Sequence, residues 1–445
     1  MSATDVMMRI VRRVYHGLRI DRALATKERI CTGLKVPCVH ERYENRLREL
    51  RKIKEREIKV LFLVSDSSKW KMQSVFDAMR ESDRFEPCIA VNLWGWHESL
   101  KCAEEEARST LRFFERNKIQ VIAAWDFDRH EPIPLSRYRP DIVFYGQPWD
   151  IHAVHMPDEV SRFALTCYVS YAVTTIDLMP CDVAMAFHRL LFRYFMQSSG
   201  WVEYAKQLRH GLSLSGEVVA TGHPMLDVFR DHDVLKENLD GPVIYAPHWA
   251  FPHRDNPNSM NISTFLWNGN AILSYAKKHP QIKWAFKPHP VLRNMLLKAG
   301  IMTDEEIDVY YGEWAKIGEC CYDGDYAKLF MRSRAMITDS GSFLTEYACT
   351  GRPVVRLISA EAKIHPCELS EKLLSTYYQV RKIDELEPVL DDLLVKGNDP
   401  NREARQAAAK AMNLTGTNAA ENIVRHLEEL IFARDTTPPF ERRST

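Results

Sequence analysis

The order of apolar and polar positions divides the chain near residue 58. From there, short apolar runs alternate with longer stretches whose apolar positions recur at helical spacing. This alternation predicts parallel strands joined by crossover helices, and therefore an α/β fold. In the first half the pattern predicts strands at Lys59–Val64, Pro87–Val91, Gln120–Trp125, Asp141–Tyr145 and Thr166–Tyr171, a last strand that begins at Val218, and helices at Lys71–Arg80 and Leu100–Asn117.

The same alternation starts again after the polar stretch Arg230–Gly241, which is the predicted linker. The second series predicts strands at Pro242–Ala246, Lys283–Lys287, Ala335–Thr338 and Pro353–Leu357, and helices at Phe265–Lys278, Tyr326–Met331, Phe343–Thr350 and Asn401–Ala433. We therefore predict four parts: a basic helical segment (1–57), two Rossmann-like α/β domains (58–235 and 236–400), and a C-terminal helix with its tail (401–445). Ligands of such sheets bind beyond the carboxyl ends of the strands.

The charge is balanced over the whole chain, with 60 Lys and Arg against 60 Asp and Glu, but residues 1–59 hold 16 Lys and Arg against 8 acidic residues. Within Met1–Ile20 the apolar positions fall at helical spacing between arginines. This pattern is typical of a helix on an anionic membrane surface, and equally of one that docks on its own domain. The stretch Glu41–Glu57 is predicted to be a solvated helix with paired charges.

Several classes of protein are disfavoured by the composition. No apolar run approaches the roughly 20 residues that span a bilayer, and arginines interrupt the segment where a signal peptide needs an apolar core. The ten cysteines form no CxxC pair, so a disulfide framework or structural zinc site is not expected. Neither GxGxxG nor GxxxxGK[ST] occurs. We expect a cytoplasmic protein without metal, cofactor or nucleic-acid partner.

The strongest local signal follows the predicted strand Ala335–Thr338. There the chain continues as Asp339, Ser340, Gly341 and Ser342 into an amphipathic helix. Amides at such a helix start bind phosphate, and the serine hydroxyls add donors. The alternative is an ordinary helix cap made by Asp339 or Ser340.

Two further strand ends carry basic or polar groups. Lys287 and His289 follow the strand Lys283–Lys287, and His248 follows Pro242–Ala246. Taken alone, either histidine could be a core or turn residue. Because all three loops are predicted to open on one edge of one sheet, we predict that they bind a diphosphate there.

The first half offers less specific candidates for the other side of a cleft. Trp149, His152, His155 and Tyr171 all follow predicted strands. Aromatic residues at strand ends often pack with one polar atom in water, and the two histidines lack the partners of a metal site. They are candidates by position alone.

The motifs of the second half resemble those of the CDP-glycerol glycerophosphotransferase family of teichoic-acid and capsule synthesis. The resemblance rests on Tyr245–Pro247 with Trp249, Lys287–Pro290, Ile337–Ser342 and Gly351–Val355. It covers about residues 240–360 and is much looser over 58–235. It implies a GT-B fold, in which two Rossmann-like domains face each other across a cleft, the C-terminal one holds the nucleotide, and a final helix crosses back.

The resemblance also implies an activity and site residues. Members are peripheral at the cytoplasmic membrane face and move a polyol phosphate from a CDP-activated donor to a hydroxyl of a lipid-linked polymer. Carried over by position, His289 binds or protonates the donor phosphates, while Ser342 with Asp339–Gly341 holds the diphosphate. Glu346, in the helix that follows, is predicted to belong to the same nucleotide site, and Lys287 is added on electrostatic grounds.

Departures from the family pattern affect the donor and the general base. The family usually has an aromatic residue and a serine where Ser340 and Gly341 stand, and its Trp-His-Gly segment has no counterpart. His152, His155 and Tyr171 are therefore the base candidates, by position only. The alternatives to a CDP-polyol transferase are a glycosyltransferase using a CMP- or UDP-linked sugar, a non-hydrolysing nucleotide-sugar epimerase, and a non-catalytic scaffold of a capsule complex.

Overall fold

The computed structural model describes residues 21–53, 55–93, 99–149, 151–173, 183–230, 239–252, 260–322, 326–363, 366–414 and 417–432. Side chains are described from residue 30 onward. The predicted amphipathic segment Met1–Ile20 and the end of the C-terminal tail lie outside these ranges.

The first domain is built on a seven-stranded parallel sheet, in the order β3-β2-β1-β4-β5-β6-β7. Its strands are β1 Ile58–Val64, β2 Phe85–Val91, β3 Val121–Ala123, β4 Ile142–Tyr145, β5 Leu165–Val169, β6 Arg193–Met196 and β7 Glu217–Ala220. Helices cover both faces, which is why β1, β4 and β5 are almost continuously apolar and buried. A separate antiparallel pair joins Trp125–Asp126 to Glu131–Pro132.

The second domain repeats this plan with six parallel strands in the order β10-β9-β8-β11-β12-β13. Its strands are β8 Val243–Ala246, β9 Trp284–Phe286, β10 Glu319–Cys320, β11 Ala335–Thr338, β12 Val354–Leu357 and β13 Tyr378–Val380. In both sheets the strand order reverses beside the first strand. This reversal opens a crevice at the carboxyl edge.

The helices of the described ranges are α1 Asp21–Leu50, α2 Gln73–Glu81, α3 Leu100–Arg116, α4 Pro157–Val160, α5 Ala186–Arg189, α6 Ser199–Leu208, α7 Phe265–Lys278, α8 Leu292–Lys298, α9 Asp304–Ile317, α10 Ala327–Arg332, α11 Gly341–Glu346, α12 Glu368–Leu374, α13 Ile383–Leu390, α14 Arg402–Ala411 and α15 Ala419–Phe432. Shorter 3-10 turns lie at Ser67–Lys69, Leu135–Tyr138, Ala153–His155, Pro224–Phe229 and Tyr347–Thr350, and one π turn at Asp391–Val395. Local signals explain several boundaries. Ser99 caps α3, and Thr303 with Glu306 forms a capping box at α9.

Most predicted strands are present, with ends that differ by one or two residues, but three strands of the two parallel sheets were missed. β10 has two residues and β13 has a polar central residue, so neither gives an apolar run. β6 begins at Arg193, whose guanidinium lies 4.0 Å from the centroid of the Phe192 ring and contacts His426. Because the strand begins with an arginine, a search for apolar runs does not identify it.

The predicted helix Glu41–Glu57 is corrected in two ways. The helix, α1, ends at Leu50, and one face of it is buried rather than solvated. Tyr43 and Leu47 lie in the core of the first domain, and the Tyr43 hydroxyl contacts Thr166 Oγ1 at 2.5 Å. The charged side chains of α1 lie on its outer face. Because they are numerous, the buried apolar stripe was not recognised in the sequence.

The predicted helix Asn401–Ala433 is also corrected, because the structure has two helices there. The first, α14, ends beside Asn413, which adopts a left-handed backbone conformation with φ of 57°. The second, α15, leaves the second domain and buries Ile423, Leu427 and Ile431 in the core of the first. The last helix therefore crosses back and ties the two domains together.

Asp227 holds the start of this crossing helix. Its carboxylate accepts hydrogen bonds from the Ala419 and Ala420 amides at 2.9 Å, from Thr417 Oγ1 at 2.6 Å and from Ser74 Oγ at 2.9 Å. The carboxylate thus satisfies the first amides of α15, where a negative charge also complements the helix dipole. One side chain joins the first domain, the interdomain turn and the last helix.

We expect Asp227→Ala to lower the free energy of unfolding by about 2–4 kcal/mol, because it removes a helix cap and leaves partly buried hydrogen-bond donors without an acceptor. Urea unfolding measures the loss, and limited proteolysis is expected to cut first between α14 and α15. Glu421→Ala is the matched control, since Glu421 lies on the same helix in an exposed pair with Arg230 and such pairs are worth about 0–1 kcal/mol. Equal stability of the two variants would contradict this role for Asp227.

Candidate active site

The three polar loops predicted from the sequence meet at the carboxyl edge of the second sheet. They follow β9, β8 and β11, which are neighbours in that order. The His289 amide donates to the Pro247 carbonyl at 3.0 Å, and the His248 amide donates to Asp339 Oδ1 at 2.6 Å. The structure therefore brings His248, Lys287, His289 and the Asp339–Ser342 turn into one site.

The Asp339 side chain links two neighbouring segments of the second domain. Its buried carboxylate accepts from the His248 amide and, through Oδ2, from the Thr264 amide at 2.6 Å and Thr264 Oγ1 at 2.8 Å. Burial raises the pKa of Asp339 to about 6, although these hydrogen bonds oppose the rise. These hydrogen bonds engage both oxygens of the carboxylate, and the predicted role of Asp339 in holding a diphosphate stays a prediction. Asp339 positions the loops that surround the site.

Both histidines of the site are neutral imidazoles near pH 7. Burial lowers the pKa of His289 to about 4, with a further contribution from Lys287, and lowers that of His248 well below its usual value. His248 Nδ1 accepts from the Ala250 amide at 3.1 Å, and His289 Nδ1 accepts from the Val291 amide at 3.2 Å. The proton of each ring is therefore on Nε2, which is left as a hydrogen-bond donor. Near pH 7 these histidines therefore do not make the expected cationic contribution.

Positive charge at the site comes from two lysines on opposite domains. Lys287, at the end of β9, is buried, and its Nζ lies 5.7 Å from the centroid of the Tyr326 ring. Lys71, from the loop before α2 of the first domain, places its Nζ 4.8 Å from the same centroid. Both domains therefore place an ammonium group at the same aromatic ring.

Glu346 is the anionic neighbour of these lysines. The buried carboxylate accepts a short hydrogen bond from the Tyr326 hydroxyl. Burial raises the pKa of Glu346, and Lys71, the Tyr326 hydrogen bond and Lys287 each oppose that rise. The predicted role of Glu346 in nucleotide binding stays a prediction. When ionised, its carboxylate offsets part of the positive charge of Lys71 and Lys287.

The turn into α11 supplies hydroxyl groups. Ser340 is the N-cap residue, its side chain makes no capping hydrogen bond, and its amide donates to Thr338 Oγ1 at 3.0 Å. Gly341 is buried, while Ser342 is partly exposed. Their positions beside Asp339 agree with the predicted diphosphate-binding turn, whose role stays a prediction.

His155 does not reach this site. Its side chain has no exposed surface, and its Nε2 lies 2.8 Å from the Ile133 carbonyl oxygen. Burial lowers the pKa of His155 to about 4, and the ring packs against His152, which stacks on Trp125. A buried imidazole in an aromatic cluster cannot meet an acceptor hydroxyl, so we withdraw the prediction that His155 is the base.

Tyr171 lies at the carboxyl edge of the first sheet. Its ring meets Trp149 edge to face at 5.9 Å, and Lys69 Nζ lies 5.8 Å from its centroid. The preceding residue, Ser170, accepts a hydrogen bond at 2.7 Å from His223, whose pKa is lowered by burial and also by the charge of Lys71. Tyr171 therefore lies on the side of the cleft that carries Lys71, and its role as base stays a prediction.

Sequence reasoning missed Lys71, Tyr326 and Thr264. Lys71 follows β1 by a short loop, so the rule that ligands lie beyond strand ends could have found it if applied to the first strand. Thr264 and Asp339 are 75 residues apart, and no local pattern links them. Within the described ranges, no three His, Cys, Asp or Glu side chains cluster as metal ligands, and no helix is both long and apolar enough to cross a membrane.

Comparison with known proteins identifies the fold of this chain but does not assign it to a family. No protein-family profile matches the sequence, and no curated protein does. Among solved structures, the S. aureus MnaA complex with UDP matches with a TM-score of 0.54 and 15% identity over 86% of this chain and 99% of that chain. A UDP-GlcNAc 2-epimerase from Neisseria meningitidis bound to UDP-GlcNAc matches with a TM-score of 0.52 and 13% identity over 84% and 100%. The chain has the GT-B fold.

The GT-B prediction, including a helix that crosses back from the second domain, is confirmed. The wall teichoic acid polymerase TagF also matches, with a TM-score of 0.48 and 12% identity over 97% of this chain and 98% of that chain. At these identities the similarity concerns the GT-B architecture alone. The candidate site lies between the two domains, at the carboxyl edge of the second sheet, where this architecture places its ligands.

Proposed function

We propose that this GT-B protein is a transferase that binds the diphosphate of a nucleotide-activated donor in the cleft between its domains. The observation that carries the proposal is the pair Lys71 and Lys287, with both amines within 6 Å of the Tyr326 ring centroid. His289 is near enough to Lys287 for that charge to lower its pKa, and Ser340 and Ser342 belong to the turn after the neighbouring strand β11. Such donors suit the distributed charge of a diphosphate. Two fold neighbours were solved with UDP or UDP-GlcNAc, which supports a nucleotide in this fold.

The finer proposal, motivated by the motifs around Lys287 and Ser342, is a CDP-polyol donor and a hydroxyl of a lipid-linked polymer as acceptor. The acceptor oxygen attacks the phosphorus that carries the polyol, the bond from this phosphorus to the bridging oxygen breaks, and CMP leaves with the electron pair. Tyr171, at the carboxyl edge of the first sheet, is the proposed group that takes the acceptor proton. We place the reaction at the cytoplasmic face of a membrane, without a metal ion.

In this mechanism the residues of the second domain stabilise the leaving nucleotide. Lys287 neutralises charge that grows on the bridging oxygen, and His289 donates a hydrogen bond from Nε2. Arrival of a diphosphate also raises the pKa of His289, because an anion nearby favours the imidazolium form. A histidine that is neutral in the protein alone can therefore become an acid in the complex with a diphosphate.

The proposal is tested by nucleotide binding and by CMP release. In thermal denaturation, we expect CDP to raise the melting temperature more than UDP, GDP or ADP. With CDP-glycerol or CDP-ribitol and a polyol-phosphate acceptor, we expect CMP to form, and His289→Ala to lower the rate by about 100-fold through loss of a preorganised donor. His210→Ala is the control, because His210 is exposed on the first domain.

Three outcomes would change this assignment. A preference for UDP over CDP would favour the UDP-sugar alternative. Nucleotide binding without CMP release from any donor would favour a non-catalytic scaffold. An equal rate in His289→Ala and His210→Ala would remove His289 from the mechanism.

A further inference from the structure

A second concentration of charge lies at the opposite edge of the first sheet. Asp141 immediately precedes β4, Arg56 lies two residues before β1, and Ser161 lies shortly before β5. All three are therefore at the amino ends of parallel strands. The candidate active site lies beyond the carboxyl ends. Because a strand rises about 3.3 Å per residue, the seven-residue β1 separates the two edges by about 20 Å.

An open cavity of about 470 Å³ occupies this edge. Five arginines line it, contributed by α1, by the segment before β1 and by the turns before β4 and β5: Arg42, Arg46, Arg56, Arg139 and Arg162. Only two carboxylates line the same cavity, those of Glu49 and Asp141. The wall therefore carries an excess of positive charge, in a protein whose 60 basic and 60 acidic residues otherwise balance.

The buried carboxylate of Asp141 is already fully used. It accepts from Arg46 Nη2 at 2.6 Å, from Arg56 Nη1 at 2.6 Å and Nη2 at 2.9 Å, and from the Lys59 amide at 2.8 Å. These four donors occupy the lone pairs of both oxygens. Asp141 therefore fixes two guanidinium groups in place and has no capacity left for the other arginines.

Several arginine donors at the cavity are not matched by a carboxylate. Arg42 Nη1 donates to the Asp158 carbonyl at 3.0 Å and to Ser161 Oγ at 3.3 Å, which are uncharged acceptors. Asp158 itself pairs with Lys35 at 2.6 Å. Arg46 Nε is buried and finds no hydrogen-bond partner among the residues that the structure describes.

Arg139 is the most distinctive member of the set. It has φ of 53°, a left-handed conformation that is uncommon for residues other than glycine. Within the described part of the chain its guanidinium makes no hydrogen bond and no ion pair, although it lines the cavity. A backbone in a costly conformation thus presents a cation without an ion pair to a cavity lined by four other arginines, of which Arg46, Arg56 and Arg162 pair with carboxylates.

We propose that this cavity is a binding site for a phosphate-bearing anion, separate from the cleft between the domains. A phosphate group offers several acceptor oxygens and up to two negative charges, which match guanidinium forks better than a single carboxylate does. The volume is within the range of about 300–1,000 Å³ typical of small-molecule sites. It accommodates a group with more than one phosphate, held between the fixed pair Arg46 and Arg56 and the uncompensated Arg42 and Arg139.

The phosphate group can belong to a soluble anion or to the headgroup of an anionic lipid. The chemistry at the arginines is the same in both cases. The two sources differ in whether free pyrophosphate or a membrane surface delivers the charge, so the experiment has one arm for each. It uses the full chain.

In the first arm, sodium pyrophosphate is titrated into the protein by calorimetry. We expect saturable binding that Arg139→Gln weakens at least about tenfold, as loss of a charge-assisted hydrogen bond predicts. Arg112→Gln, an exposed arginine of α3, removes the same charge elsewhere and is expected to bind as the wild type does. Because the cleft is also proposed to bind a diphosphate, the titration is repeated in Lys287→Ala, where the component that depends on Arg139 must persist.

In the second arm, sedimentation compares vesicles of phosphatidylcholine with vesicles that also contain 30 mol% phosphatidylglycerol. If the cavity takes a lipid headgroup, Arg139→Gln lowers sedimentation with the anionic vesicles, and pyrophosphate competes. If the cavity takes a soluble anion, Arg139→Gln and Arg112→Gln sediment equally with the anionic vesicles, but Arg139→Gln still binds pyrophosphate more weakly than Arg112→Gln. Equal pyrophosphate affinity and equal vesicle binding in these two variants would overturn the proposal.

Discussion

Mild acid is expected to unfold this protein. Five histidines, four of them buried and one, His289, partly exposed, have a pKa that desolvation lowers, to about 4 or below for four of the five and well below the ordinary value for His248. They are His155, His188, His223, His248 and His289. At pH 7 all five are mostly neutral in both the folded and the unfolded chain, so their protonation hardly changes the free energy of unfolding there. Their protonation lowers the free energy of unfolding as the pH falls.

The direction of this change in stability follows from which state, folded or unfolded, binds more protons at a given pH. Below about pH 6.5 the unfolded chain protonates these histidines while the folded protein does not, so their contribution to stability is lost between about 6.5 and 4. Asp339 acts in the opposite direction, because its folded pKa of about 6 is above its unfolded value of about 3.9. Glu346, whose pKa is also raised, opposes the loss as well.

Five histidines against two carboxylates leave a difference of about three protons near pH 5, which corresponds to roughly 4 kcal/mol per pH unit. Since domains are stable by only about 5–15 kcal/mol, we expect the urea midpoint to fall steeply between pH 6.5 and pH 5. Unfolding curves at pH 7.5, 6.5, 5.5 and 5.0 measure this slope. A midpoint that stays constant over this range would contradict the buried neutral imidazoles.

His188 provides the sharpest variant for this test. Neither of its ring nitrogens has a hydrogen-bond partner among the described residues, and its ring packs against Tyr168, Phe187 and Tyr194. A phenylalanine can take this place. We expect His188→Phe to leave stability at pH 7.5 nearly unchanged and to reduce the slope by about one proton, or about 1.4 kcal/mol per pH unit. The exposed His210→Phe is the control and should leave the slope as in the wild type.

The sequence patterns predicted the sheets because parallel strands are buried on both faces, and this burial leaves apolar runs such as Ile58–Val64 in the chain. Strands without such a run, such as Arg193–Met196, were missed. The meeting of the loops that hold His248, Lys287 and Ser340 was predictable for the same reason, since the carboxyl ends of neighbouring strands share one edge.

The chemistry of individual side chains was less predictable. The hydrogen bonds of Asp339 to His248 and Thr264 join residues far apart in the sequence, so its position in the motif could not reveal them. The charge of His289 depends on its burial, and burial is a property of the assembled fold. The position of Lys71 beside Tyr326 depends on how two domains face each other. None of these facts has a local signature in the chain.

Loss of Lys287 is expected to abolish most donor binding and turnover. Its ammonium group is buried beside Tyr326 and Glu346, where a charge interacts more strongly than in water. We expect Lys287→Ala to lower kcat/KM for the donor by about 100- to 1,000-fold. Lys283→Ala is the matched control, because Lys283 is exposed at the other end of the same strand. Similar kinetics in the two variants would remove Lys287 from the site.

Lys71 allows a test of whether both domains grip the same phosphates. In a double-mutant cycle, Lys71→Ala and Lys287→Ala are expected to be non-additive for nucleoside diphosphate affinity, with a coupling of about 1–3 kcal/mol, if both amines contact one diphosphate. Affinity for the nucleoside alone, without phosphates, should be equal in all four proteins. Strict additivity would mean that Lys71 acts elsewhere, and that the cleft closes on the donor without a cation from the first domain. A coupling for the diphosphate that is absent for the nucleoside can only come from charges shared across the cleft, which is the physical basis of the proposed transferase.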